Sequence, residues 1–257
     1  MSRGLTAVPL PALPEIVPGN DLGRLLAEAW WRLITEDAAL APAPGDVLVV
    51  TQKVVSKAEG RIVRLADVEP RPEAVEWARA WDKDPRQVEV VLRESAQVMR
   101  MEHGVIISRT HHGYVCANAG VDASNVGAEE VVTLLPEDAD RSARGLRHAL
   151  LEELGVDVGL IVSDSFGRPW RLGITDVALG VSGFRPLDDL RGERDTEGRE
   201  MRATVVAVAD ELASTAELAS GKTSRQPAVL IRGARLPAGE GTIAGDVLMP
   251  LEQDLFT

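Results

Sequence analysis

Apolar positions along this chain recur at two different periods, and the switches between them mark its elements. Over residues 18–34, PGNDLGRLLAEAWWRLI, the residues Leu22, Leu25, Leu26, Ala29 and Leu33 fall at helical spacing, with Asn20 or Asp21 placed to cap the helix. Gly45-Asp46 turns the chain into Val47-Leu48-Val49-Val50, a continuous apolar run that reads as a buried strand. The polar stretch TQKVVSKAEG follows at its end. Residues 72–81, PEAVEWARAW, predict a helix with proline in its first turn. Residues 88–98 fit helix and strand equally. Residues 104–107 and 113–116 predict two strands of a hairpin around His111-His112.

Residues 137–154 predict a long helix ended by Gly155. Residues 158–162 are another buried strand, which delivers Ser163, Asp164 and Ser165 at its C-terminal end. The glycine and proline of the following FGRPWR predict an irregular loop. Residues 199–219 read as a long helix with an apolar face, and residues 227–232 as a last strand. The tail after Gly241 is poorly specified. Strands and helices are interspersed without a regular βαβα order, so the pattern predicts a mixed α+β or irregular α/β architecture rather than a doubly wound sheet, and an α+β fold with a mixed sheet is expected.

Composition narrows the function classes. The chain has 257 residues, enough for a sizeable core, and its 45% hydrophobic share argues against disorder. A net charge of −12 makes a basic nucleic-acid-binding face an unsuitable main business. The lone Cys116 excludes an intrachain disulfide and predicts a reducing compartment. The prolines of the N-terminal MSRGLTAVPLPALPEIVPG interrupt any signal-peptide core, and no apolar run reaches the ~20 residues of a membrane span. A soluble cytoplasmic protein is expected, without nucleic-acid or membrane partners. Anionic substrates on so acidic a chain would need bound cations or clustered arginines.

Several segments carry candidate chemistry. In CANAGVDASNVG small residues crowd Asp122 and Asn125, whose hard oxygens suit Mg²⁺ or Mn²⁺; taken alone, the segment reads more readily as an Asx-turn with Asp122 or Asn125 capping a helix. Asp164 with Ser165 is an acid and hydroxyl of the kind that holds a divalent ion on a phosphate, or a cap on the next turn. Arg168 and Arg171 offer bidentate forks to a phosphate or carboxylate, or to neighbouring acids. Lys53 and Lys57 are candidate phosphate ligands, though lysines are more often solvated. ASGKTS fails as a P-loop, because the required first glycine is Ala216. His111 and His112 are adjacent and would point apart in a strand. There is no Cys/His zinc spacing, no GxGxxG and no GxSxG.

Taken in order, LPEIVPGNDL, VLVVTQKVVSKAEGR, HGYVCANAGVDASNVG, VSDSFGRPWRLGITDVALG and AELASGKT resemble the coenzyme F420-0:L-glutamate ligases from about residue 8 to residue 233. The resemblance implies a GTP-dependent amide ligation. L-glutamate is joined to the carboxylate of the phospholactyl arm of a deazaflavin coenzyme, F420-0, and the tail is extended through γ-linked glutamates. A carboxylate does not acylate an amine unaided, because oxide is a poor leaving group. Phosphorylation by GTP would give an acyl phosphate that the amine then attacks.

The resemblance also implies two divalent ions, Mg²⁺ or Mn²⁺, with K⁺ or another monovalent cation helping. It implies a two-lobed subunit in an intertwined homodimer, with the site in the groove between subunits. Asp122, Asp164 and Ser165 match the family's metal positions. Leu13, Pro14, Glu15, Ile16, Gln52, Lys57, Asn125, Gly221 and Lys222 match nucleotide contacts. Arg168 and Arg171 are assigned to anion binding and electrostatic stabilisation by inference rather than by residue match, beside Asp164 in the catalytic set. The expected organisation is one catalytic module of two lobes over residues 1–257, without the nitroreductase-like flavin domain that some relatives append. The final EQDLFT would suit either a stand-alone ligase or one half of a longer protein.

Overall fold

The computed structural model describes residues 4–123, 130–221 and 224–254. Its strands are β1 (Thr6–Pro9), β2 (Val47–Thr51), β3 (Ile62–Arg64), β4 (Ser95–Glu102), β5 (Val105–Thr110), β6 (Val115–Ala117), β7 (Val131–Thr133), β8 (Gly159–Arg168), β9 (Arg171–Ser182), β10 (Asp188–Asp189), β11 (Val205–Val206) and β12 (Ala228–Arg232). Its helices are α1 (Leu22–Glu36), α2 (Gln52–Ala58), α3 (Pro72–Trp81), α4 (Pro85–Glu94), α5 (Ala139–Leu154), α6 (Val208–Ser220) and α7 (Ile243–Asp246). The fold is α+β, as the pattern predicts.

Five strands make the main sheet, in the order β1-β12-β2-β8-β9. Among the described residues only β2 and β8 run parallel, pairing Val47 with Gly159 through to Thr51 with Ser163. The apolar runs of β2, β8 and β12 are buried on both sides, which is why they read as continuous rather than alternating. The main core gathers around this sheet, with Trp30, Leu26, Leu150 and Phe184 among its largest fully buried side chains. Two smaller cores lie between residues 65 and 134. One joins α3 and α4 to Ile106 and Ala119; the other surrounds Val132 and Leu134.

Local chemistry sets several boundaries. Asp21 caps α1 by accepting from the Arg24 N–H, and Asp138 caps α5 by accepting from that of Arg141. Gly155 ends α5 in the left-handed conformation at φ 71°. Pro72 opens α3. The ambiguous 88–98 stretch divides: α4 ends at Glu94 and β4 begins at Ser95.

Three expectations change. FGRPWR is not an irregular loop: β8 runs on through Asp164 and Ser165 to Arg168, turns at Pro169-Trp170, and returns as β9. Proline fixes the first turn position, and Trp170 takes a left-handed φ of 56° at the second. The helix expected over 199–219 begins only at Val208, because Val205 and Val206 pair as a strand with Asp188 and Asp189. The His111-His112 hairpin is real, but its first strand extends to Thr110, so both histidines sit in the turn. Among the described residues no helix is long and apolar enough to cross a membrane.

Candidate functional site

The parallel pair β2–β8 creates the site by ending unevenly. Thr51 is the last residue of β2 and pairs with Ser163, while β8 continues five residues further. Where β2 stops, α2 starts at Gln52, so Lys53 and Lys57 stand beside the projecting β8–β9 hairpin. A cleft of about 1120 Å³ opens there. Its walls come from five parts of the chain: residues 13–16, the start of α2, the segment after β6, the β8–β9 hairpin, and the end of α6 with the residues before β12.

Asp122 and Asp164, 42 residues apart in sequence, line this one cleft, with Ser165 beside them. Asp122 is held by an isolated bridge to Thr133, in which each backbone N–H donates to the other residue's carbonyl. Two residues earlier, Gly120 has φ 70° and packs against Leu135 so closely that a Cβ would lie 2.7 Å from it. Glycine is therefore required to bring this turn into the cleft. Asp164 is placed by the β8 ladder. Strand alternation turns it to the opposite side from Ser163 and Ser165. Burial first, and then the neighbouring Asp164 carboxylate, push the Cys116 thiol up to about 12, so Cys116 is an inert packing residue rather than a nucleophile.

Two lysines line the same cleft. Lys53 Nζ lies 2.5 Å from Asp122 Oδ2. Lys57, 7% exposed, donates to Glu15 Oε1 at 2.6 Å and so ties the N-terminal segment to α2. Gln52 is buried and accepts the Ser56 hydroxyl at 2.8 Å. Leu13, Pro14, Glu15, Ile16, Gln52, Lys57 and Gly221 all line the cleft, as does Ser220 next to Gly221. Asn125 and Lys222 lie outside the described residues.

Arg168 and Arg171 are not brought to the cleft within this chain. They are the last paired residues of the hairpin and stand at its exposed tip, where Arg168 Nη2 donates to the Leu172 carbonyl at 3.2 Å. Beside them Trp170 and Leu172 are 85% and 99% exposed. Conversely, Asp176 and Glu217 line the cleft and were not singled out in the sequence, and Ser163, named there only as part of the strand end, lines it too. Asp176 escaped because of its register. A regular two-residue hairpin continued from the Arg168–Arg171 pair would set Ile174 opposite Ser165; a shift next to the turn sets Asp176 there instead.

The donors are all oxygen: the carboxylates of Glu15, Asp122, Asp164, Asp176 and Glu217 and several serine hydroxyls line the cleft, beside lysines suited to phosphate. Among the described residues no three His, Cys, Asp or Glu side chains form a cage for a metal ion. Oxygen donors of this kind suit Mg²⁺ or Mn²⁺, which bind through one or two carboxylates and fill the remaining positions with water and substrate phosphates. The residues present fit such an ion.

Similarity to known proteins puts the chain among the ligases. Residues 12–233 match the family described as F420-0:Gamma-glutamyl ligase, and the chain belongs to that family. It is 47% identical over 228 residues to the coenzyme F420:L-glutamate ligase of Methanopyrus kandleri, covering 88% of this chain and 86% of that one. It is 41% identical over 257 residues to the enzyme of the same name from Methanothermobacter thermautotrophicus, covering 98% and 99%. The Methanocaldococcus jannaschii enzyme is 42% identical over 213 residues, covering 82% and 84%.

Proposed function

We propose that the cleft joins L-glutamate to the phospholactyl carboxylate of coenzyme F420-0 at the expense of GTP, and then adds γ-linked glutamates. The observation that carries this reading is the meeting of Asp122 and Asp164 in one cleft with Lys53 and Lys57. The names of the relatives supply the coenzyme and the amino acid. Lysines and carboxylates lining one cleft support a phosphate-bearing co-substrate, which this reading takes to be GTP.

In this reading residues 13–16, Gln52 and the Gly221 turn hold the base and ribose end of GTP. Lys57 and Lys53 exchange their carboxylate partners for phosphate oxygens, which costs little because each ammonium keeps an anionic partner. Asp122, Asp164 and Ser165 hold the divalent ions. Bound there, Mg²⁺ or Mn²⁺ would screen the anionic phosphates and the incoming carboxylate from one another. The turning of Asp164 and Ser165 to opposite sides of β8 suits two ion positions rather than one.

The coenzyme carboxylate then attacks the γ-phosphorus and GDP leaves. The amine of L-glutamate attacks the resulting acyl phosphate, an amide bond forms, and inorganic phosphate departs with the oxygen. The protein contributes alignment and charge, which is most of what phosphoryl transfer requires.

The homodimer belongs to the same proposal. Its support is the hairpin tip, where Trp170, Leu172 and Ile174 are exposed next to Arg168 and Arg171. An apolar tip of this kind suits burial against a second copy, and the arginines would reach a cleft only across such a contact. The separate cores between residues 65 and 134 support the two-lobed subunit.

The test is mass spectrometry of the coenzyme after incubation with GTP, Mn²⁺, K⁺ and L-glutamate. Product mass should rise in steps of one glutamyl unit, each with release of GDP and phosphate. GTP hydrolysis at the same rate without coenzyme or glutamate, and no mass step, would mark a phosphohydrolase and overturn the proposal.

A further inference from the structure

Beside the proposed cation site, in the wall of the same cleft, lies a carboxylate to which that reading gives no role. Asp176 stands directly opposite Ser165 on the β8–β9 hairpin and is only 5% exposed. Its Oδ1 accepts the Ser165 hydroxyl at 2.5 Å, and its Oδ2 accepts the Ser163 hydroxyl at 3.3 Å. Its backbone is fixed as well: Ser214 Oγ on α6 donates to the Asp176 carbonyl at 2.8 Å and lies 2.8 Å from Thr175 Oγ1. A carboxylate so deeply placed carries a desolvation cost that folding alone gives no reason to keep. A threonine or a valine would fill the same strand position.

We infer that Asp176 is a positioning residue for the cation site, acting through Ser165. The inference rests on the reading of the cleft given under Proposed function. A serine hydroxyl carries one proton and two lone pairs. With its proton committed to Asp176, Ser165 meets a cation only through its lone pairs, and the rotor cannot swing the proton into the cleft. The carboxylate charge behind it also strengthens the oxygen as a donor. This is the arrangement by which outer partners orient metal ligands. Asp176 does not act through Asp164, which strand alternation turns to the other side of β8.

The experiment is a double-mutant cycle on the whole chain. Mn²⁺ alone is titrated into wild type, Asp176→Asn, Ser165→Ala and the double variant, with free Mn²⁺ read by electron paramagnetic resonance. Glutamylation is measured in parallel. D176N should weaken Mn²⁺ binding about tenfold, the effect usual for an outer partner of a metal ligand. S165A should weaken it similarly, and the double variant should be no worse than the poorer single. In D176N raised Mn²⁺ should restore turnover, with the KM for L-glutamate unchanged.

A folded D176N that binds Mn²⁺ within twofold of wild type would overturn the inference. So would losses that add in the double variant. Should D176N not fold, Asp176→Glu, which keeps the carboxylate, carries the same cycle against S165A. A wild type that neither binds Mn²⁺ nor adds glutamate would sink the reading of the cleft and this inference with it. A wild type that does both, beside an unaffected D176N, sinks the inference alone.

Discussion

Removing one hydroxyl, in Tyr114→Phe, tests how the two acid-bearing segments are held together. Tyr114 lies in the turn between β5 and β6, on the way to Asp122, and is 6% exposed. Its hydroxyl donates across to the carbonyl of Leu179 on β9. Leu179 is the extra residue of a bulge: Val162 pairs with Gly180 and Ser163 with Ala178, leaving Leu179 opposite nothing on β8. The Tyr114 ring also meets Phe166 edge-on, at 6.5 Å between centroids, one residue past Ser165. Burial, with help from Asp140 and Asp138, raises the phenol above its usual range, so it remains a donor across the working pH.

Phenylalanine keeps the ring and takes away the donor from a buried carbonyl. The cost of such a loss is about 1–3 kcal/mol. For a chain of this size each kcal/mol lowers the melting temperature by about 2–4 °C. Calorimetry should therefore show Y114F melting several degrees below wild type. Because the hydroxyl ties the Asp122 segment to the hairpin carrying Asp164, the variant should also need more Mn²⁺ for half-maximal turnover. Combining it with Phe166→Leu separates ring from hydroxyl, since an aromatic pair couples by about 0.5–1.5 kcal/mol and the hydroxyl should not. A Y114F protein with an unchanged melting temperature and unchanged Mn²⁺ requirement would refute the claim that this bond braces the cleft.

Further expectations follow from other parts of the molecule. Asp164→Asn should abolish glutamylation and weaken Mn²⁺-dependent GTP binding while circular dichroism stays that of wild type; unchanged glutamate addition would remove Asp164 from the mechanism. Gly180→Ala should give little folded protein, because the new Cβ would stand 2.1 Å from the Ala139 carbonyl oxygen at the start of α5, where neither backbone can yield. Soluble expression and melting temperature near wild type would show that α5 shifts more easily than close packing suggests.

Glu89 is buried, which by itself raises its pKa, but hydrogen bonds from the Arg71 side chain and backbone and from Arg93 outweigh this and hold it at about 2. With the folded value depressed, its stabilisation is complete above the ordinary carboxylate range near 4.5 and is lost as pH falls from there towards 2. Glu89→Gln should cost about 1.5–3 kcal/mol at neutral pH, towards the lower figure because both guanidiniums are half-exposed, and should flatten the acid limb of a melting-temperature profile. An acid limb as steep as wild type would place the sensitive group elsewhere.

Much of the fold was legible in the chain because its signals are local. The periodic leucines of α1, the Asp21 cap, Pro72 and Gly155 each act within a few residues, and those elements lie where the pattern sets them. Asp122 and Asp164, which the structure sets in one cleft, stood out as well, because each sits among small or polar residues rather than in an apolar run. Sequence motifs also sufficed to indicate the family, because they occur together and in order.

Tertiary structure decided what depends on distant partners. That Asp122 and Asp164 line one cleft follows from the uneven ends of β2 and β8, and strand lengths are set by pairing rather than by composition. The hairpin hidden in FGRPWR, and the register shift that sets Asp176 against Ser165, arise from hydrogen bonds that form only once both strands are present. The same holds for the arginines at the tip: their charge is written in the sequence, but their distance from the cleft is a property of the folded hairpin. Local propensity acts over one turn or one strand, whereas a site assembled from five segments is fixed by the packing that joins them.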